Sequence, residues 1–213
     1  MIPKITLQES VKPVYRLFLN ALTQAGFRGD IESSYSSRLA AATDNSVYQW
    51  IPQAVVFPLN TTDVAMLTRL SQESQYSSLC FSPRGGGTGT NGQSLSDGLI
   101  VDLSRHMTGL LELNVDEAWV RVEAGMVKDK LNAVLKSHGL FFSPELSTSN
   151  RATIGGMVNT DASGQGSLVY GKTSDHVLEL TAVLVDGSGF VCGPRSGERL
   201  KDKLRQQDRD GEI

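Results

Sequence analysis

Residues 82–92 read Ser82-Pro-Arg-Gly-Gly-Gly-Thr-Gly-Thr-Asn-Gly92, with four glycines at 85, 86, 87 and 89. Without Cβ atoms, such a run takes up backbone angles closed to other residues. Successive N–H groups can then converge into a concave nest for an anion. Thr88, Thr90 and Asn91 add short polar side chains at the rim. The chemistry on offer is the binding of a phosphate or pyrophosphate. Arg84, at the entrance, either pairs with that phosphate or serves as a structural arginine. A flexible linker would need no apolar strand in front of it. Here Ser78 to Ser82 reads as such a strand.

A second segment has related properties. Pro144-Glu-Leu-Ser-Thr-Ser-Asn-Arg-Ala-Thr-Ile-Gly-Gly156 runs on through Met-Val-Asn-Thr-Asp-Ala-Ser-Gly164. Hydroxyls and small residues dominate, so its backbone can lie flat against an extended ligand or pack tightly on its own sheet. If Thr153 starts a helix, the free N–H groups of its first turn add a second anion site. Two phosphate-friendly elements in one chain suit a dinucleotide. Gly87-Thr-Gly-Thr-Asn-Gly92 matches G-x-G-x-x-G, but the Rossmann fingerprint opens a helix at its last glycine. Here the chain continues as Gln93-Ser-Leu-Ser-Asp-Gly98 and then a strand, so that reading fails on context. A Walker A loop fails as well, because no Lys-Ser/Thr pair comes after the glycines.

The elements that must position these loops are legible from periodicity. Val11 to Phe27 reads as a helix with Pro13 in its first turn and Gly26 as its stop, and a short helix is expected around 34–42. Ala54–Phe57 is a buried-strand candidate. Asn60-Thr-Thr-Asp63 caps a helix that runs to about Gln75. With strands at Ser78–Ser82 and Leu99–Leu103, the order suggests a parallel βαβ unit. Leu110–Asn114 and Trp119–Glu123 suggest an antiparallel pair. Helices are expected over Val127–Ser137 and Thr153–Thr160, with strands at Val177–Val185 and Phe190–Cys192 around Asp186-Gly-Ser-Gly189. Residues 193–213 read as a charged, poorly ordered tail.

Composition bounds the rest. The chain has 213 residues, 39% hydrophobic and 20% charged, which can bury a real core. A net charge of −3 without a dense basic stripe argues against nucleic acid. There is no signal-like start and no run long enough to span a bilayer, so a cytoplasmic location is the default, with membrane association only through an electron acceptor. Cys80 and Cys192 read as small core residues, and no His/Cys spacing resembles a metal site. His176 reads as a hydrogen-bonded structural histidine rather than a base.

Pro83-Arg-Gly-Gly-Gly-Thr-Gly89, Val122-Glu-Ala-Gly125, Pro144-Glu145, Thr153-Ile-Gly-Gly156 and Tyr170-Gly171 occur in this order. Together they resemble the FAD-binding domain of the vanillyl-alcohol-oxidase type. Ser147-Thr-Ser-Asn150, Asn159-Thr-Asp-Ala-Ser-Gly164 and Tyr170-Gly-Lys-Thr-Ser-Asp-His176 are similar to large bacterial FAD-linked oxidoreductases of the D-2-hydroxyglutarate and D-lactate dehydrogenase kind. The resemblance covers about residues 35–192. It implies an α+β fold in two lobes: a small parallel βαβ lobe over 53–106 and a mainly antiparallel lobe with helices over 107–192, after an N-terminal helical extension over 1–52. FAD would lie between the lobes. The backbone of Gly85 to Gly89 would hold the pyrophosphate, with Thr88, Thr90 and Asn91 assisting, and Arg84 remains a further candidate for the phosphate. Thr153, Gly155 and Gly156 would line the other side. Asp161, Ser163 and Gly164 would sit near the flavin or ribityl chain, with Pro144 and Thr148 as further members. Asp44 and Tyr48 stay outside this set. Some relatives attach flavin through a histidine at the position of Thr88, so attachment here should be noncovalent.

The resemblance also implies parts not found here: a later glycine-rich strand segment, a substrate cap and the Cys-rich stretch of an iron–sulfur module. Two cysteines cannot ligate a four-iron cluster. The expected activity is oxidation of a D-2-hydroxy acid, electrons passing to an unidentified acceptor. This chain would be an inactive FAD-binding portion, and no catalytic group is assigned. The alternative is a noncatalytic nucleotide-binding or interaction module.

Overall fold

The computed structural model describes residues 10–194 together with Gly197, Lys201, Asp202 and Arg205. Most of the expected poorly ordered tail, 193–213, lies outside the described residues.

The first sheet carries the glycine loop. Helix α1 (Pro13–Gln24) starts on a proline at its first position and turns Tyr15, Phe18, Leu19 and Leu22 inward. Gly26 ends it with φ +91°, a left-handed turn that favours glycine. Strand β1 (Asp30–Glu32) and helix α2 (Tyr35–Ala40), capped by Ser34, come next. Strand β2 (Ala54–Phe57), helix α3 (Thr61–Ser71), strand β3 (Phe81–Arg84) and strand β4 (Leu99–Asp102) complete the unit. The sheet order is β1-β2-β4-β3. β4 runs parallel to both neighbours, and β1 is antiparallel to β2. The strand–helix–strand reading therefore holds, with β4 inserted between its two strands.

Every residue of β2 is buried, because the strand is covered on both faces. Ala54 and Val56 join Phe18, Leu22, Leu67 and Leu99 on one side, while Val55 and Phe57 meet Ala41 and Ile100 on the other. Asn60 caps α3 by accepting the Asp63 N–H at 3.1 Å. The buried Asp63 carboxylate in turn accepts the N–H groups of Leu59 at 2.9 Å and Arg28 at 3.3 Å. Thus α3 is tied to the loop after α1.

Within the stretch expected as an N-terminal helical extension, Asp30–Glu32 add a strand to this sheet and Pro13–Gln24 a helix to its core. The third strand also differs from expectation. A 3₁₀ turn over Ser74–Tyr76 takes up the chain, so β3 begins at Phe81 and runs through Pro83 into the glycines. Pro83 is tolerated because β3 lies at the sheet edge, where no ladder donor is needed on the open side.

Beyond β4 the pairing is antiparallel. Strands β5 (Leu110–Asn114) and β6 (Trp119–Val122) form one ribbon. Helix α4 (Lys128–Leu135) packs Leu131 and Leu135 with Met126 against Leu110, Val120 and Val122. Helices α5 (Ile154–Asn159) and α6 (Ser167–Tyr170) precede strands β7 (Leu180–Val183) and β8 (Gly189–Cys192), a second ribbon turning at Gly187 with φ +80°. The described strands here form two separate ribbons rather than one sheet. β7 starts at Leu180 because Thr173–His176 winds a 3₁₀ turn, so His176 closes a turn rather than opening a strand. Cys80 and Cys192, expected in the core, are both exposed. No described helix is long and apolar enough to cross a membrane.

Candidate cofactor site

The two glycine-rich segments meet. A Cβ at Gly85 would run into the Thr153 side chain, and one at Gly86 into the Arg151 carbonyl. The Arg151 guanidinium donates back to the Gly86 carbonyl oxygen at 3.0 Å. Glycine at 85 and 86 is therefore required by loop-on-loop packing. Segment 151–155 is pinned from behind. Lys128 N–H donates to the Ala152 carbonyl at 3.0 Å, Ile154 N–H to Met126 at 2.8 Å and Gly155 N–H to Ala124 at 2.8 Å. Gly125 lies equally close to the Leu103 backbone just after β4. One continuous stack thus runs from the sheet through 124–126 and 151–155 to the glycine loop.

The loop itself leaves its donors open. Among the described residues, no group accepts a hydrogen bond from the N–H groups of Gly86, Gly87, Thr88, Gly89 or Thr90. Gly87 has φ +62°. The next N–H, of Asn91, is taken by the Gln93 side-chain oxygen at 3.0 Å. Thr90 and Asn91 are exposed at the rim, and Thr88 is half-buried. A run of unpaired donors on a pinned loop is what an anionic group requires.

Two expected roles change. Thr153 does cap α5, its hydroxyl accepting the Gly156 N–H at 3.3 Å. Yet the first-turn donors are already engaged: Ile154 and Gly155 with segment 124–126, Gly156 with the Thr153 hydroxyl and Met157 with the Thr153 carbonyl. The helix start therefore offers no second anion site. Gly156 nevertheless stays exposed, with only the Thr153 hydroxyl near its missing Cβ, at 3.1 Å. Arg84 is committed elsewhere. Its guanidinium donates to the carbonyls of Thr43 at 2.8 Å and Ala41 at 3.4 Å, beside Asp102 at 3.9 Å. Burial pushes its pKa down against the pull of Asp102 and Asp44. It fastens the 41–44 loop to the glycine loop instead of reaching outward.

That fastening brings in residues outside the sequence-based set. Asp44 accepts the Ser94 hydroxyl at 3.0 Å and the Ser46 N–H at 2.8 Å. Burial alone would raise its carboxyl, but the bonds from Ser46 and Ser94 and nearby Arg84 hold it below the usual range. Tyr48 lies against Gly92, whose φ is +74°. Arg151, inside the second segment, carries no sequence signal for its role, because its contact is with backbone.

At the far end, Pro144 is buried and the Glu145 backbone fills the space beside Gly164. The Thr148 carbonyl accepts the N–H groups of Arg151 at 2.9 Å and Ala152 at 2.8 Å, so its part is to turn the chain. Ser163 is exposed. Asp161 has φ +45°, uncommon for a side-chain-bearing residue, and accepts from Lys172 and from the Ser174 N–H at 3.0 Å. The hydrogen bond from Lys172, then those from Ser174, lower its pKa to about 2. His176 contacts the Tyr170 carbonyl at 2.6 Å and the Ser143 hydroxyl at 3.2 Å, consistent with a structural role. Two surface cavities, about 530 Å³ beside Gln49, Trp50, Ile51 and Asp97 and about 370 Å³ between the end of α1 and α3, lie outside both segments.

A parallel unit with a pinned glycine loop, joined to antiparallel ribbons, defines a dinucleotide-binding fold of the flavin-linked oxidase class. The family model for the FAD binding domain matches residues 52–193, and the chain belongs to that family. It is 62% identical over 187 residues to the D-2-hydroxyglutarate dehydrogenase of Escherichia coli (strain K12), a match that spans 88% of this chain and 18% of that protein. It is 59% identical over 199 residues to the enzyme of the same name from Pseudomonas putida, which spans 93% of this chain and 20% of that protein. The chain thus spans about a fifth of the length of these curated relatives. A solved structure of alkyldihydroxyacetonephosphate synthase superposes with TM-score 0.76 at 21% identity, covering 91% of this chain and 40% of that one. At that identity the likeness speaks for the fold alone.

Proposed function

We propose that this chain is the FAD-binding portion of a flavin-dependent dehydrogenase that oxidises a D-2-hydroxy acid, D-2-hydroxyglutarate being the substrate in the names of its bacterial relatives. The observation that carries this reading is the run of unpaired N–H groups from Gly86 to Thr90 on a loop held by segment 151–155. These donors fit a pyrophosphate. Thr88, Thr90 and Asn91 bind at its rim, while Arg84 and Arg151 keep the loop in shape. The exposed Gly156 lets the cofactor approach the start of α5, and the turn over Asp161, Ser163 and Gly164 faces the flavin or ribityl chain. Bound FAD would supply the redox chemistry, the capacity to take up a hydride from a hydroxy acid. The chain's own groups orient it between the lobes 53–106 and 107–192.

Thr88 stands where a covalent linkage would need histidine, so FAD is held noncovalently. The base, the carboxylate-binding groups and any iron–sulfur cluster belong to the remainder of a longer protein, as does contact with the electron acceptor. The location is cytoplasmic, or membrane-associated through that acceptor. The test is a titration of the 213-residue chain with FAD, following flavin fluorescence and thermal stability, against FMN, NAD, ADP and ATP. Selective stabilisation by FAD is expected. No preference for FAD over ADP or ATP refutes the reading in favour of a general nucleotide module. Hydroxy-acid-dependent dye reduction by this chain alone would refute its assignment as an inactive portion.

A further inference from the structure

Lys172 lies eleven residues beyond Asp161, yet its ammonium sits on the Asp161 carboxylate. Asp161 occupies the position after the C-cap of α5. Its N–H donates to the Val158 carbonyl at 3.2 Å, and the Ala162 N–H to Met157 at 2.9 Å. This paired closure places one residue in the left-handed region and is usually made by glycine. Here an aspartate makes it, with φ +45°. Asp161 and Ala118 are the two described non-glycine residues with positive φ.

The segment carrying Lys172 grips the same turn at three further points. Ser174 N–H donates to the Asp161 carboxylate at 3.0 Å. Thr173, fully buried, donates to the Ala162 carbonyl from its N–H at 3.1 Å and from its hydroxyl at 2.7 Å. Lys172 is itself oriented, because its N–H donates to the Asp175 carboxylate at 2.8 Å. A lysine with no structural task would be free in solvent; this one is held at both ends.

We propose that Lys172 is a positioning residue for the cofactor site, holding Asp161 left-handed so that the 161–164 turn presents a fixed surface. This rests on the proposed function, in which the turn faces the flavin. The ammonium neutralises the carboxylate and fixes its direction, and that direction sets the backbone at Asp161 and the path of Ala162 to Gly164. Lys172 touches no reacting atom; it acts through Asp161.

The test is a set of FAD titrations with flavin absorbance spectra on the 213-residue chain carrying Lys172→Met, Lys172→Arg, Asp161→Gly, or Asp161→Gly with Lys172→Met. Methionine keeps the stem and removes the charge. Loss of one exposed ion pair is expected to weaken FAD binding about threefold to fivefold and to shift the flavin band. Arginine should restore both. In the Asp161→Gly background, glycine takes the left-handed conformation unaided, so Lys172→Met should change nothing further. An Lys172→Met chain that binds FAD with wild-type affinity and spectrum overturns the inference, as does an equal loss in the glycine background. A wild-type chain that binds no FAD overturns the flavin reading itself, so the two failures are distinguishable.

Discussion

Replacing Gly156 by alanine should move stability and cofactor affinity in opposite directions. Gly156 is the third residue of α5, is exposed, and has helical rather than positive φ. Alanine is better than glycine inside a helix by about 0.8–1.0 kcal/mol. Only part of that is realised in the first turn of so short a helix. The new Cβ would lie 3.1 Å from the Thr153 hydroxyl, a tight contact that returns a few tenths. The net gain is about 0.5 kcal/mol, which for a chain of this size raises Tm by about 1–2 °C. The same methyl projects from the face where the cofactor is proposed to lie. Intruding on a packed contact costs roughly 1–3 kcal/mol, so FAD should bind about tenfold more weakly. Thermal melts without ligand and fluorescence titrations with FAD read the two effects separately. A stabilised variant that binds FAD with unchanged Kd refutes the placement of the cofactor at α5. A destabilised variant refutes the account of the local packing.

Gly86→Ala should act through the fold. Its Cβ would meet the Arg151 backbone, with the carbonyl carbon at 2.8 Å, so the two loops must part at a cost of about 2 kcal/mol and a Tm drop of roughly 4–8 °C; an unchanged melt would contradict the packing of loop on loop. Asp63→Ala removes the acceptor of the Arg28 and Leu59 N–H groups and should cost about 2 kcal/mol by chemical denaturation, with Asp63→Asn recovering part of it. The Asp161 carboxyl titrates at about 2 in the fold against about 3.9 in an unfolded chain. Its pairing with Lys172 therefore stabilises the protein fully above about pH 4 and is lost as pH falls through about 2. The melting difference between wild type and Asp161→Asn should be flat from about pH 5 upward and shrink toward about pH 2; a carboxyl NMR titration with its midpoint near the unfolded value would refute the pairing.

Much of this architecture is legible in the sequence because local signals agree with it. The inward residues of α1, the Asn60 cap, and the strands Leu99–Asp102 and Leu110–Asn114 each come from periodicity or turn chemistry. β1 escapes such a reading because three residues, Asp30, Ile31 and Glu32, carry no strand pattern and become a strand only by pairing with β2. The start of β3 shifts because a 3₁₀ turn competes for Ser74–Tyr76, which no apolar count reveals. At the site, the glycines announce close approach but not what approaches. At Gly85 and Gly86 it is another loop, whereas Gly156 is left open. Arg84 and Arg151 look alike as basic residues beside glycines, yet both serve backbone carbonyls, a use set by distant chain segments.

The matched family region begins at residue 52, but its sheet is completed from outside that boundary. β2 borrows its antiparallel neighbour from Asp30–Glu32, and Phe18 and Leu22 fill the space beneath it. The cassette that the family model covers is therefore not a portable unit. Any recombination, graft or expression boundary drawn at residue 52 would leave an apolar strand with one bare edge, a template for intermolecular pairing. Part of what holds the matched region together therefore comes from residues that the family model leaves out.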